Sequence, residues 1–410
     1  MKITEIEPLH AQGTISGAWI FAKVTTDEGI VGYGEGSSHA APVIIAAINW
    51  LKPYVIGMSP FDIETICWTL HNHTKAQGFG ISAIGAIETA LWDIMGKAVG
   101  KPVYELLGGK VWERVRLYSH IGGGSHVSQM GVEEGTKASD DLGAIKERAA
   151  DLVSRGFTQV KTFQWGRYAH HGTTIPYFEW RPNYQMDRHS VLKTVEKVAF
   201  IREQVGQDIE IALDVHGQNL MSAVRLAKAM EPFDLLWFEE PLDPFNLAAL
   251  EQLRGNTNIP IAMAEQLHTT YDLAQLLASK TTDVFMTDVQ WNGGVSRTKK
   301  LAAMAEAYFM PITFHNTNSP LGTIIDAHIG ITLPNFLSQE FMDPDVPWRD
   351  EIITEPLHIE DGHLVLNDKP GWGVDINEEV LARHPYVRGG GTYEMRSAVQ
   401  GATGSGHTSS

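Results

Sequence analysis

The chain has 410 residues, of which 43% are hydrophobic and 20% charged, with a formal net charge of −17. That is the composition of a soluble globular protein of about two domains, and its acidity argues against nucleic acid or an anionic membrane as partner. An anionic small molecule is not excluded, because a metal ion or a few local cations can reverse the field at a site.

The single cysteine, Cys67, rules out an intrachain disulfide and reads as a buried spectator. The start, Met-Lys-Ile-Thr-Glu-Ile-Glu-Pro, lacks a signal-peptide apolar region. No apolar span of about 18 residues follows, so a cytoplasmic location is expected.

Residues 1–115 read as an α+β domain. Trp19 to Glu35 predicts two strands around an Asp27-Glu28-Gly29 turn. Helices are expected over 41–55 and 60–75, and Ser82 to Ala98 is an Ala-rich run with apolar residues at helical spacing. A breaker cluster, Gly100 to Gly109, closes the segment.

From 116 to 345 short apolar runs alternate with helical stretches rich in Ala, Leu, Lys and Glu. The runs are Arg116 to Ile121, Gln159 to Phe163, Ile209 to Val215, Leu235 to Glu239, Ile259 to Glu265, Val284 to Asp288, Ile312 to His315 and Phe336 to Glu340. Near-continuous apolar strands are those buried on both faces of a parallel sheet. Eight of them separated by helices predict a TIM-like barrel, whose active site lies at the C-terminal strand ends. Polar groups recur at those ends. Glu239 comes 25 residues after Asp214, Glu265 26 after Glu239, and His315 27 after Asp288. Packing alone gives no reason to place carboxylates there.

Between these runs, 122–140 is an irregular Gly- and Ser-containing loop, too irregular for a phosphate cradle. The stretch 164–188 carries Trp165, Tyr168, Tyr177 and Trp180 with little periodicity, and reads as a lid or pocket wall. Residues 346–386 contain short strand-like pieces (364–366 and 371–375) expected to return to the N-terminal domain. The tail, 387–410, is rich in small residues and reads as mobile or as contacting a partner subunit.

Asp214, Glu239 and Glu265 on adjacent strand tips suit a hard divalent cation, Mg²⁺ rather than Zn²⁺. Consecutive strand residues face opposite sides, and Glu239 keeps the spacing better than Glu240. His216, two residues after Asp214, is expected on the same face of the strand end. Asp288 lies on the strand beside His315, where it would orient the imidazole. A metal flanked by two histidines suits removal of the proton next to a carboxylate, followed by reprotonation or by loss of a β-hydroxyl as water.

These residues resemble the enolase superfamily, most nearly its mandelate racemase-like subgroup, over residues 1 to about 385. The resemblance rests on Thr26 to Glu35, Ala90 to Ala98, Pro102 to Gly109, Asp214-Val-His216, Phe238-Glu-Glu-Pro241, Glu265, Asp288 with Gly293-Gly294, and His315. It implies a modified (β/α)7β barrel (116–345) with a capping domain built from 1–115 and the C-terminal residues. It also implies one Mg²⁺ per subunit at Asp214, Glu239 and Glu265, an Asp288–His315 dyad, and Glu340 near the substrate carboxylate. The Asp-x-His at 214–216 is similar to that of mannonate and galactonate dehydratases.

Three departures bear on substrate. Racemase-type members carry Lys-x-Lys where this chain has Lys161-Thr-Phe163, so a two-base racemase is disfavoured. Trp291 stands where those dehydratases have a histidine before the x-Gly-Gly turn. Lys161 replaces the arginine of mannonate dehydratases, and Tyr168 or Tyr177 matches their tyrosine only loosely.

The expectation is therefore a Mg²⁺-dependent acid-sugar dehydratase giving a 2-keto-3-deoxy acid. His315, oriented by Asp288, is expected as base and His216 as acid, with the roles exchangeable. Lys161, Glu340, Tyr168 and Trp291 are expected to meet substrate, and the protein is expected to be a homo-oligomer (dimer to octamer). The alternatives are an epimerase or cycloisomerase of an acid sugar, or a catalytically weak sugar-acid-binding protein.

Overall fold

The computed structural model describes residues 1–13, 18–36, 40–74, 79–121, 141–165, 186–343 and 346–386. The readings made above for 122–140, for most of the aromatic stretch after Trp165 (including Tyr168), and for the tail fall outside these residues.

The chain opens with an antiparallel sheet of β1 (Ile3–Gln12), β2 (Ala18–Thr26) and β3 (Val31–Glu35), in that spatial order. The β2–β3 turn uses Gly29 at φ 80°, where only glycine is unstrained. Helices α1 (Ala41–Leu51), α2 (Ile63–Thr74) and α3 (Phe79–Val99) cover one face. Strand alternation divides β2. Ala18, Ile20, Ala22 and Val24 pack with Ile44, Cys67, Ile84 and Ile87 of the helices, whereas Trp19 and Phe21 join the core of the barrel. A short α4 (Val103–Leu106) leads on.

The barrel alternates β4 (Val115–His120), α5 (Leu142–Ser154), β5 (Gln159–Phe163), α6 (Arg188–Val205), β6 (Glu210–Asp214) and α7 (Leu220–Met230). It continues with β7 (Trp237–Glu239), α8 (Leu247–Arg254), β8 (Ile261–Met263), α9 (Thr270–Ser279) and β9 (Val284–Thr287). Then come a short α10 (Val289–Asn292), α11 (Val295–Ala307), β10 (Ile312–Phe314), α12 (Pro320–Gly330) and β11 (Phe336–Glu340). Asp141, Asp187, Asn219, Asn246 and Thr269 each cap the helix that follows with a side-chain oxygen. Neighbouring strands pair in parallel, and β11 closes on β4 through Gln339↔Leu117 and Glu340↔Tyr118. A 3-10 turn, Arg349–Ile352, takes the place of a helix after β11. Among the described residues this is a (β/α)7β barrel with a capping domain, as expected.

The C-terminal segment differs from expectation in detail. The hairpin β12 (Ile359–Glu360) and β13 (His363–Leu364) adds to the start of β4, through Leu364↔Val115, at the end of the barrel opposite the strand tips. The stretch 371–375 is not a strand. Gly371 and Gly373 turn at φ 71° and 79°, and the turn lets Trp372 N–H reach Asp93 on α3 at 3.0 Å and its indole N–H reach Tyr33 O at 3.1 Å. Helix α13 (Glu378–Arg383) returns to the capping sheet, where Glu378 accepts the Tyr33 hydroxyl at 2.7 Å. No helix among the described residues is long and apolar enough to cross a membrane.

Candidate active site

Seven successive barrel strands, β5 to β11, bring Lys161, Asp214, Glu239, Glu265, Asp288, His315 and Glu340 together, and each is buried. Parallel register accounts for much of this: Asp214 pairs with Glu239 across β6 and β7. Lys161 is the hub. Its Nζ lies 2.7 Å from Glu239 Oε1, 2.6 Å from Glu340 Oε1 and 3.8 Å from Asp214 Oδ2. Burial alone would push this ammonium down; Glu239 and Glu340 outweigh it and hold it well above its usual value. Lys161, expected at the carboxylate end of a substrate, is thus committed to protein carboxylates in this structure.

Glu239 faces the barrel interior, where it also accepts the Trp237 indole N–H at 2.9 Å. Glu240 points elsewhere. At φ 43° its backbone turns left-handed, and its Oε1 accepts the N–H groups of Ala264 at 2.7 Å and Glu265 at 3.1 Å, fixing the next strand tip. His216 reaches the cluster by a route other than strand pleating. Strand β6 ends at Asp214, and His216 sits at φ 47° before Gly217 at φ 61°. Strain of this kind in a non-glycine residue has to be held by its surroundings. Here Nδ1 lies 2.7 Å from Asp214 Oδ1 and Nε2 2.7 Å from Glu265 Oε1, so the ring bridges two carboxylates.

His315 Nδ1 lies 2.9 Å from Asp288 Oδ2, while Nε2 faces Glu265 Oε2 at 3.7 Å and Glu340 Oε2 at 3.8 Å. Burial opposes its charge, but Glu265, Glu340 and Asp288 together raise it to about 10. The Trp291 ring lies 4.9 Å from the His315 ring and forms one wall. His120, at the tip of β4, enters as an additional site residue: its Nε2 is 2.5 Å from Glu340 Oε1 and its ring stands edge-on to Phe163. Its place at the end of the first apolar run was the only sequence signal for it.

Among the described residues, no group of three or more His, Cys, Asp or Glu is arranged to hold a metal ion as it stands. The reason is local: His216 bridges Asp214 and Glu265, and Lys161 occupies Glu239. In chemistry, however, the donors suit a hard cation. They are oxygens only, and Glu265 Oε2 accepts no hydrogen bond. Six carboxylates (Asp214, Glu239, Glu240, Glu265, Asp288 and Glu340) stand buried with few cations among them. Burial first, and the neighbouring acids after it, raise Glu239 to about 7 and Glu240 to about 8. A divalent cation would relieve that excess.

A model of the enolase C-terminal domain-like family matches residues 144–380, and one of the mandelate racemase/muconate lactonizing enzyme N-terminal domain matches 3–108. The chain belongs to the mandelate racemase/muconate lactonizing enzyme family. This enolase-superfamily chain is 33% identical over 395 residues to a D-galactonate dehydratase of Xanthomonas euvesicatoria pv. vesicatoria, covering 93% of this chain and 94% of that one. It is 30% identical over 392 residues to a D-xylonate dehydratase of Haloferax volcanii, covering 93% and 89%. Among solved structures, a mandelate racemase/muconate lactonizing enzyme-like protein of Rubrobacter xylanophilus superposes with TM-score 0.82 at 31% identity, covering 94% and 99%.

Proposed function

We propose that this family member is an acid-sugar dehydratase, which removes the proton α to a carboxylate and expels the 3-hydroxyl as water to leave a 2-keto-3-deoxy acid. The observation that carries the reading is two histidines, from different strand tips, set against one cluster of buried carboxylates, one of them backed by Asp288. The dehydratase names of the relatives support it. Asp214, Glu239 and Glu265 would hold one Mg²⁺ per subunit. Bound there, the ion would polarise the substrate carboxylate and take up the charge left when the α-proton departs.

His315 would take the α-proton, with Asp288 fixing its tautomer and orientation, and His216 would deliver a proton to the departing hydroxyl. With Glu239 given over to the ion, Lys161, still paired with Glu340, would be free to meet the carboxylate end, and Trp291 would wall the sugar. One observation favours the exchanged assignment: at about 10 the His315 imidazole already carries a proton, as a donor to the hydroxyl should. His216 would then be the base.

The test is a screen of aldonates, aldarates and uronates with Mg²⁺ in D₂O, run on the wild type, His216→Asn and His315→Asn. Elimination should fall about 10²–10⁴-fold in both variants. The variant that keeps deuterium exchange at C2 while losing elimination has lost the acid, and the one that loses both has lost the base. Exchange without any 2-keto acid in the wild type would replace dehydration with isomerisation, and neither activity would leave binding alone.

A further inference from the structure

The Asp288–His315 pair is braced from outside the barrel. His315 begins a loop that ends at Ser319, the N-cap of α12. Glu35, the last residue of β3 in the capping sheet, is fully buried. It accepts the backbone N–H of Ser319 at 2.9 Å and of Gly322 at 2.7 Å, together with the Ser319 hydroxyl. Asp288 has matching support. It caps α10, the Gly293-Gly294 turn follows, and α11 begins. Glu88 on α3 accepts the N–H groups of Val295 and Ser296 at 2.9 Å each, the Ser296 hydroxyl at 2.6 Å and the Trp92 indole N–H at 2.8 Å.

The two loops are also tied to each other. Asn318 Nδ2 donates to Gln290 Oε1 on α10 at 2.8 Å and lies 3.5 Å from Asp288 Oδ2. Glycine makes the close approach possible. A Cβ at Gly294 would stand 2.2 Å from Glu88 Oε2, and one at Gly322 2.9 Å from Glu35 Oε2.

A buried carboxylate between two parts of a fold need do no more than hold them together. Asp93 is such a case, accepting N–H groups from Tyr33 and Trp372, neither of which lies on an element that follows a tip-bearing barrel strand. Glu35 and Glu88 differ in where their bonds land: Glu35 on α12, which follows the loop from His315, and Glu88 on the start of α11, just beyond the short α10 that Asp288 caps. We propose that Glu35 and Glu88 are positioning residues, through which the capping domain sets the distance and angle of the Asp288–His315 pair. The proposal rests on the reading of His315 as a proton-transfer group.

The test uses Glu35→Gln and Glu88→Gln, near-isosteric changes that set an amide N–H₂ or a weaker acceptor against backbone N–H donors, with Asp93→Asn as the control. One readout needs no substrate: the low-field imidazole proton of the His315–Asp288 bond in the NMR spectrum, assigned by its loss in His315→Asn. The other is steady-state kinetics on the acid sugar found by the screen above. Both Gln variants should shift or lose the signal and lower kcat by about tenfold or more, with KM within about threefold, since a small misplacement of a reacting group acts on the chemical step. Asp93→Asn should lower Tm and leave signal and kcat as in the wild type. The proposal is overturned if both Gln variants keep the wild-type signal and kcat while losing Tm as Asp93→Asn does. Turnover surviving in His315→Asn would overturn the reading of the base instead, and the signal alone would then decide the positioning. If a Gln variant does not fold, Ser296→Ala removes one of the Glu88 bonds and is judged by the same two readouts.

Discussion

Lys161→Met removes the ammonium from the carboxylate cluster while keeping most of the side-chain volume. Lys161 is 2% exposed, and its two short contacts, at 2.6 and 2.7 Å, are each worth about 6 kcal/mol at an effective dielectric of about 20 before desolvation. Desolvating the ammonium offsets much of this, so the relevant figure is that for stripping one partner from a buried ion pair, about 3–5 kcal/mol. Against a total stability of about 5–15 kcal/mol that is a large loss.

The loss carries a sign in pH. Glu239 is raised to about 7 by burial even with Lys161 opposing it, so the variant raises it further. A carboxyl raised in the folded state keeps its stability below its unfolded value and loses it as pH climbs toward the folded one. The variant should therefore already be less stable than wild type near about pH 5, because Glu340 loses the cation that holds it well below its usual value, and the deficit should widen above about pH 7. Millimolar Mg²⁺ should restore part of it, by about 2.7 kcal/mol at a concentration 100 times Kd. Urea unfolding at both pH values, with and without Mg²⁺, measures all of this. Equal midpoints for variant and wild type at about pH 8 would refute the placement of Nζ among the carboxylates.

Acid should destabilise the fold from a site far from the strand tips. His328 accepts the Tyr104 N–H on Nδ1 at 3.1 Å and donates from Nε2 to Trp372 O at 3.2 Å, a neutral tautomer locked in place. Burial lowers its pKa to about 3, while burial and the Arg297 charge lower His71 to about 4. Below about 6.5 the unfolded chain binds protons that the fold refuses, so each histidine removes up to about 1.4 kcal/mol of stability per pH unit as pH falls. His328→Gln should flatten that slope by its share, and an unchanged slope would rule the residue out. Gly294→Ala forces a Cβ onto Glu88 at φ 103° and should lose about 2–4 kcal/mol. In Glu88→Ala the clash is gone, so the double variant should lose clearly less than the sum of the singles. Strict additivity would mean that the loss at 294 is backbone strain alone.

The strands were legible because burial on both sheet faces writes a continuous apolar run, and the tips because acids and histidines end those runs. Gln159–Phe163 and Phe336–Glu340 are strands at the bounds expected. His120 was less legible, because a lone histidine at a strand end carries no periodic signal until Glu340 closes beside it. His216 was placed on the right side by the wrong means, since a left-handed turn cannot be read from alternation. The bracing carboxylates were not legible at all: Glu35 and Glu88 lie 284 and 207 residues from Ser319 and Val295.

By itself the sequence determined the barrel, the capping segment and which side chains stand at the strand tips, because those follow from hydrophobic periodicity within about 25 residues. Only the tertiary structure decided their charge states and partners. Lys161 lies against Glu239 and Glu340, the acids around His315 raise its imidazole, and His216 spans Asp214 and Glu265. Protonation depends on burial and on a few ångströms between strands distant in the chain, and neither quantity is written in local sequence.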